Sequence, residues 1–263
     1  MDNIWDIGAE IYSETAPQIS FYQKTSEKFF DFFDTLNATT ICDLGCGSST
    51  LMIEKILEKC PNIECIYCID SSKKMTEVLS NKVRSSKVKI YNANAENFSH
   101  FLITKIDVFI INSAFWLFNL EKTLKQISNS LKSDGKVIFN IAEWDYHFQN
   151  YTPHPKYEFI DNELKKRNIK IKKTRGSKNK ITENEIMNLL SQEGFSINTK
   201  EIINIEFTKM DWLNFYSIPS IAKRSLPDLS EDIGMEILSS AISRMSKNDF
   251  SEVKCIFFEA GKR

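Results

Sequence analysis

The sequence predicts an α/β fold, a parallel sheet covered by helices on both faces. Three observations carry this. Short apolar runs recur at 39–44, 63–69, 88–91, 106–111 and 137–141. The segments between most of them place apolar residues every three or four positions, the helical period. The runs themselves are apolar at nearly every position, as strands are when buried on both faces.

Taken in order, residues 4–36 carry helical spacing through Ile4, Ile7 and Ile11, then Phe29, Phe30, Phe32, Phe33 and Leu36, with Pro17 dividing two helices. The run 39–44 is a buried strand that leads into Gly45-Cys46-Gly47-Ser48-Ser49-Thr50. A helix follows on Leu51, Ile53, Ile56, Leu57 and Cys60, stopped by Pro61 and Asn62. The second strand, 63–69, ends at Asp70, and Met75, Val78 and Leu79 line one face of a helix over 72–82. After the strands 88–91 and 106–111, Leu120, Leu124, Ile127 and Leu131 predict a helix over 120–132, closed by Asp134-Gly135. A fifth strand covers 137–141. Thr182 followed by Glu185 is a capping box for a helix over 183–193 that ends at Gly194. Phe195 to Phe207 reads as a sixth strand, 210–247 as a helical excursion broken by Pro219 and Pro227, and Val253 to Phe258 as the last strand.

Composition removes several function classes. The chain has 263 residues, 34 Lys and Arg against 35 Asp and Glu, and a net charge of -1, which argues against affinity built mainly on phosphate contacts. There is no run of 18 apolar residues to span a membrane. The opening Met-Asp-Asn-Ile-Trp-Asp lacks a basic, then apolar, leader, so a cytoplasmic location is expected. Six cysteines then read as free thiols in a reducing compartment. Cys65 and Cys68 have CxxC spacing, but Ile66 and Tyr67 put them in a strand, and the three histidines lie far off at 100, 147 and 154; no metal is expected. Residues 165–180 hold nine basic residues and no acid. They read as a solvated loop, with docking of an acidic carrier protein as the alternative. Nucleic acid is disfavoured, since no aromatic for stacking lies between 160 and 180.

The sharpest signal is Asp43-Leu-Gly45-Cys-Gly47 at a strand-to-helix turn. Glycine there lets a ligand approach the backbone, and the helix N–H groups point at it. Asp70, 25 residues past Gly45, stands where a carboxylate accepts ribose hydroxyls. A dinucleotide loop would carry a third glycine where Thr50 stands, and the carboxylate of Asp43 would repel a pyrophosphate. It suits a cationic group instead.

These stretches resemble the class I S-adenosylmethionine (SAM)-dependent methyltransferases that modify small molecules. The resemblance runs through Ile41-Cys-Asp-Leu-Gly-Cys-Gly-Ser-Ser-Thr50, Tyr67-Cys-Ile-Asp-Ser71, Tyr91-Asn-Ala-Asn-Ala-Glu96, Asp107 to Trp116 and Leu131 to Phe139, and covers residues 36–142. It implies a Rossmann-like sheet of seven strands with the last antiparallel, an N-terminal helical cap over 1–36 and a catalytic domain over 37–263. Segments 144–180 and 209–248 would be lid or insertion. Asp43, Gly45 and Gly47 would frame the methionine end of SAM, and Asp70 with Ser71 the ribose. Asn94 stands where the family commonly has an aspartate toward adenine, with Ala95 offering backbone. Asn112 and Ala114 would lie beneath the sulfonium, and Tyr12 and Tyr22 would close over it.

Methyl transfer needs alignment more than acid–base chemistry. A hydroxyl, ammonium or carbon acceptor calls for a base, and a carboxylate does not. His147, within Trp144-Asp-Tyr-His-Phe148, is the candidate base, with His154 behind it. Phe115, Trp116, Phe118, Trp144, Tyr146, Trp212, Phe215 and Tyr216 are candidates to wall an acceptor pocket, and Lys223-Arg224 to meet an acidic acceptor. The expected reaction is methyl transfer from SAM to O, N or C of a small molecule. The alternatives are carboxyl methylation of a carrier-bound substrate and a non-catalytic SAM-binding protein.

Overall fold

The computed structural model describes residues 3–148, 154–171, 180–246, 249–250 and 252–263. Strands β1 (Thr40–Leu44), β2 (Cys65–Asp70), β3 (Val88–Asn92), β4 (Ile106–Ile111), β5 (Leu131–Ala142), β6 (Phe195–Glu206) and β7 (Glu252–Lys262) form one sheet in the order β3-β2-β1-β4-β5-β7-β6. β1 pairs in parallel with β2 and β4, and β4 with β5. β7 alone runs against the rest, antiparallel to both β5 and β6. The chain lays β2 and β3 to one side of β1 and then returns to lay β4 on the other. That reversal opens a crevice at the carboxyl ends of β1 and β4.

The period of two along each strand sends side chains to separate cores. Ile41, Val108, Ile110, Ile138 and Phe257 face one core, which is filled from α2 (Ser20–Lys28), α3 (Leu51–Lys59), α8 (Lys209–Tyr216), α9 (Pro219–Ser225) and α10 (Glu231–Arg244). Cys42, Phe109, Ile111, Phe139 and Phe258 face the other, filled from α5 (Leu120–Ser130) and α7 (Glu183–Gln192). The remaining helices are α1 (Ala9–Thr15), α4 (Lys73–Lys82) and α6 (Lys156–Lys166). α6 buries Ile160 and Leu164 in the first core, so this part of the 144–180 segment is a packed helix.

Some boundaries differ from expectation for physical reasons. The helix predicted over 120–132 ends at Ser130, and Leu131 begins β5. Asp134-Gly135 is a bulge inside that strand: Ile106 pairs with Leu131, but Val108 already pairs with Lys136. A Cβ on Gly135 would stand 2.7 Å from Leu131 Cδ1 and 3.0 Å from the Asp107 carbonyl, so the bulge holds a residue with no side chain. The 4–36 region breaks into α1, α2 and three single turns. The capping box is present: Thr182 Oγ1 accepts from the Glu185 N–H at 3.3 Å, and Glu185 accepts from the Thr182 N–H at 2.7 Å.

Candidate active site at the carboxyl ends of the strands

β1 ends at Leu44, and the chain turns through Gly45 (φ +78°) and Gly47 (φ +62°), a region that favours glycine. A Cβ on Gly45 would stand 2.6 Å from the Ala114 methyl. The Gly45 and Cys46 N–H groups donate to the Ile69 carbonyl at 2.7 and 3.2 Å, fixing the loop on the end of β2. Asp70 ties the two strand ends together. Its Oδ2 accepts from the Gly47 N–H at 2.9 Å and its Oδ1 from the Ser72 N–H at 2.8 Å. Burial raises the Asp70 carboxyl, and these two bonds oppose the rise. Ser72, rather than Asp70, caps α4, accepting from the Met75 N–H at 3.1 Å.

A cavity of about 340 Å³ opens above these ends, within the roughly 300–1,000 Å³ of small-molecule sites. Gly45, Gly47, Asp70, Ser71, Asn94, Ala95, Asn112 and Ala114 line it from four strand ends, and Tyr12 and Tyr22 line it from α1 and α2. Asp43 lines a narrow space beside it, shared with Tyr12, Tyr22, Gly45 and Asn112. The Asp43 side chain is buried, and burial and then the neighbouring Asp70 push its carboxyl up to about 7. A positive charge beside Asp43 would favour its charged form. The two tyrosine rings meet edge to face at 5.7 Å. Burial and Tyr22 hold the Tyr12 phenol well above its ordinary value, so it stays a neutral hydroxyl.

Several groups that line the cavity or hold its lining in place were not expected. Asn140 is fully buried on β5. Its Nδ2 donates to Asn112 Oδ1 at 3.0 Å, and its Oδ1 accepts from the Ser113 N–H at 2.6 Å. This holds Ser113 at φ +59°, a left-handed conformation rare outside glycine. A single amide inside Val137-Ile-Phe-Asn-Ile was the available signal. Asn3, Ile4 and Trp5 also line the cavity, and no local pattern places an N-terminal turn there. Asp6 anchors that turn by accepting from Ser72 Oγ at 2.5 Å.

Beside the cavity lies a narrow aromatic cleft of about 30 Å³, walled by Phe21, Trp116, Trp144, Phe215 and Ile221, with Arg224 at its edge. Trp5, Tyr22 and Ser113 line both spaces. Of the aromatics expected to wall an acceptor pocket, Trp116, Trp144 and Phe215 line this cleft, and Phe118 lines the main cavity instead. Phe115 and Tyr146 pack in the second core. Trp212 and Tyr216 pack in the first, where the buried Lys156 ammonium lies 3.4 Å from the Trp212 ring centre.

The histidines fall elsewhere. His147 is exposed and lines neither space, since the alternation of this stretch buries Tyr146 and Phe148 and turns the residue between them outward. The structure therefore does not bring this candidate base to either space. His154 is buried, its Nδ1 accepts from the Lys156 N–H at 3.1 Å, and burial with Lys156 lowers it to about 3. His100 is exposed against Phe101. Among the described residues no group of His, Cys, Asp and Glu is placed to hold a metal ion.

The methyltransferase-domain family model matches residues 36–194, more than half of the chain. The chain belongs to that family. It is a SAM-dependent methyltransferase with SAM as its cofactor. The residues present fit such a group: the buried Asp43 carboxylate would suit its cationic end, Asp70 could accept from its ribose hydroxyls, and the glycine loop is open to close approach. No curated protein matches the sequence. Among solved structures, the methyltransferase resembles the (4+2)-cyclase SpnF at 12% identity and TM-score 0.57, over 92% of this chain and 80% of that one. A cyclopropane synthase from Mycobacterium tuberculosis matches at 12% and 0.57, over 92% and 84%. The geranyl diphosphate C-methyltransferase of Streptomyces coelicolor, solved with geranyl diphosphate and S-adenosylhomocysteine, matches at 13% and 0.53, over 91% and 79%. At these identities the likeness is one of fold.

Proposed function

We propose that this methyltransferase moves a methyl group from SAM to a small molecule that reaches the main cavity from the side of the aromatic cleft. The observation that carries the reading is that cavity and cleft share Trp5, Tyr22 and Ser113, so the cleft opens beside the cofactor cavity. In this reading Asp43, Gly45 and Gly47 hold the methionine end. Asp70 and Ser71 hold the ribose, and Asn94, Ala95 and Met75 surround the adenine. Asn112 and Ala114 sit beneath the reacting centre, and Tyr12 and Tyr22 cover it. SAM supplies a methyl group already activated on a sulfonium. The protein's share is to align the acceptor and to exclude water, which the aromatic walls do.

A free acceptor is favoured over a carrier-bound one. The basic run, for which docking a carrier was the alternative to a solvated loop, is partly engaged within the chain. Arg167 pairs with Glu163 at 2.8 Å and Glu236 at 2.7 Å, and Lys180 Nζ donates to the Glu143 carbonyl at 2.7 Å. Residues 172–179 of that run lie outside those described. A cytoplasmic setting is part of the proposal, supported by six free cysteines. No described helix is long and apolar enough to cross a membrane.

Asp70→Ala tests the cofactor site. SAM titration should show affinity falling by about tenfold or more, the loss of charge-assisted hydrogen bonds worth roughly 1.5–3 kcal/mol. Unchanged affinity would remove Asp70 from the site.

A further inference from the structure

We infer that Trp5, Tyr12 and Tyr22 form an aromatic cage that holds the sulfonium of SAM and lets its neutral product, S-adenosylhomocysteine, go. The inference rests on the reading of the cavity as the cofactor site, and it names what tells cofactor from product there.

The three rings come from separate elements. Trp5 stands in the turn Ile4–Asp6, Tyr12 on α1 and Tyr22 on α2. The Trp5 and Tyr12 ring centres lie 6.4 Å apart at 84°, and those of Tyr12 and Tyr22 5.7 Å apart at 67°. Rings set at such angles form a corner rather than a flat stack. All three line the cavity, and each is half-buried. A corner of aromatic rings is the form in which side chains recognise onium cations, through the negative faces of the rings. The Tyr12 and Tyr22 hydroxyls bond to each other, so the rings are the parts that meet a charge.

The surrounding charge agrees. The residues lining the cavity and the narrow space beside it include Asp43, Asp70 and Glu96 and, among those described, no lysine, arginine or histidine. Arg224 comes within 5.9 Å of the Trp5 ring centre, but it lines the cleft and not the cavity. It is engaged there with Trp116 at 3.8 Å and with Asp145.

The cage also stands in the right place. Trp5 and Tyr22 line both cavity and cleft, the junction at which a methyl group would pass to an acceptor. Tyr12 and Tyr22 also border the narrow space that Asp43 lines. SAM carries two positive groups a short carbon chain apart. With its ammonium at Asp43, its sulfonium falls to these rings. As the acceptor bonds to the methyl carbon, the carbon–sulfur bond breaks and sulfur keeps the electron pair. The sulfonium becomes a neutral thioether, and the attraction to the cage ends while the contact at Asp43 remains. The attraction is made before the reaction, so it serves exchange of product for cofactor more than the chemical step.

The test compares SAM with S-adenosylhomocysteine by isothermal titration and needs no acceptor. The two differ only at sulfur, by a methyl group and a charge. The parent should bind SAM about tenfold or more tighter, a difference of about 1.4 kcal/mol. Tyr22→Leu and Trp5→Leu should each cut that preference about threefold or more, with S-adenosylhomocysteine binding within about twofold of the parent. Tyr22→Phe loses the hydroxyl and keeps the ring, so it should keep the parental preference. Trp5 replaced by a trifluorinated tryptophan keeps its shape and loses much of its negative face. That protein should also lose preference, whereas a preference owed to the added methyl group alone would not move. It decides the matter if a leucine variant binds neither ligand. A parent without preference, a preference unchanged in both leucine variants or in the fluorinated protein, or one lost in Tyr22→Phe as fully as in Tyr22→Leu each overturn the cage. Failure of the parent to bind S-adenosylhomocysteine would overturn the cofactor site instead.

Discussion

At the scale of single residues, Asp43 carries the plainest trade between stability and function. Its carboxyl stands at about 7 in the unliganded protein, above its ordinary 3.8, because it is buried beside Asp70. The folded state therefore holds a proton that the unfolded chain releases. Stability lent by this group is present at low pH and is lost as pH rises toward 7. Asp43→Asn should accordingly melt higher than the parent at pH 8, with the gap closing toward pH 4, as thermal unfolding at the two pH values would show. Ligand binding has the opposite sign. A cationic group beside Asp43 needs the charged carboxylate, so SAM affinity should fall as pH drops below 7, approaching about tenfold per pH unit, and Asp43→Asn should flatten that slope. Isothermal titration from pH 5.5 to 8 reads both.

The elements show where local pattern suffices and where pairing decides. The glycine loop, the end of β2 and the capping box were legible because each depends on neighbours in sequence. The end of α5 was not: Leu131 fits the helical period, yet the sheet takes it, since pairing with Ile106 extends β5 past a bulge. Asn140 belongs to the same class. Its hydrogen bonds to Asn112 and Ser113 join β5 to the loop after β4. Asn140→Ala leaves buried polar partners unsatisfied, at about 1–3 kcal/mol, and should lower the melting temperature by several degrees. It should also weaken SAM binding, because the loop it holds lines the cavity. A melting temperature and SAM affinity equal to the parent's would show that the loop holds itself.

On the scale of the whole molecule, the strand order places the crevice and the N-terminal turns complete it. Trp5 lines both spaces, and its turn is anchored through Asp6 to Ser72 at the start of α4. Saturating SAM should therefore stabilise the fold as a unit, by about 2.7 kcal/mol at a hundred times its dissociation constant. Differential scanning calorimetry should show one transition moving upward with SAM. In Asp70→Ala at the same SAM concentration the shift should shrink or vanish; an equal shift would place the binding energy elsewhere.

The sequence by itself determined the fold class, the order of its elements and the glycine loop with its downstream acid, because these rest on periodicities and turn chemistry within a few residues. Gly45, Gly47, Asp70, Ser71, Asn94, Ala95, Asn112 and Ala114 could be brought to one cavity for that reason: each stands at or just past the end of a parallel strand, and parallel strands bring their ends to one place. Only the tertiary structure decided the rest. It turned His147 outward through one step of alternation, sent Trp212 to the core and Trp144 to the cleft, and set Arg224 against indoles from distant turns. Those outcomes depend on which face a side chain takes and what packs across from it. A one-residue change of face reverses them, and nothing in the local pattern fixes it.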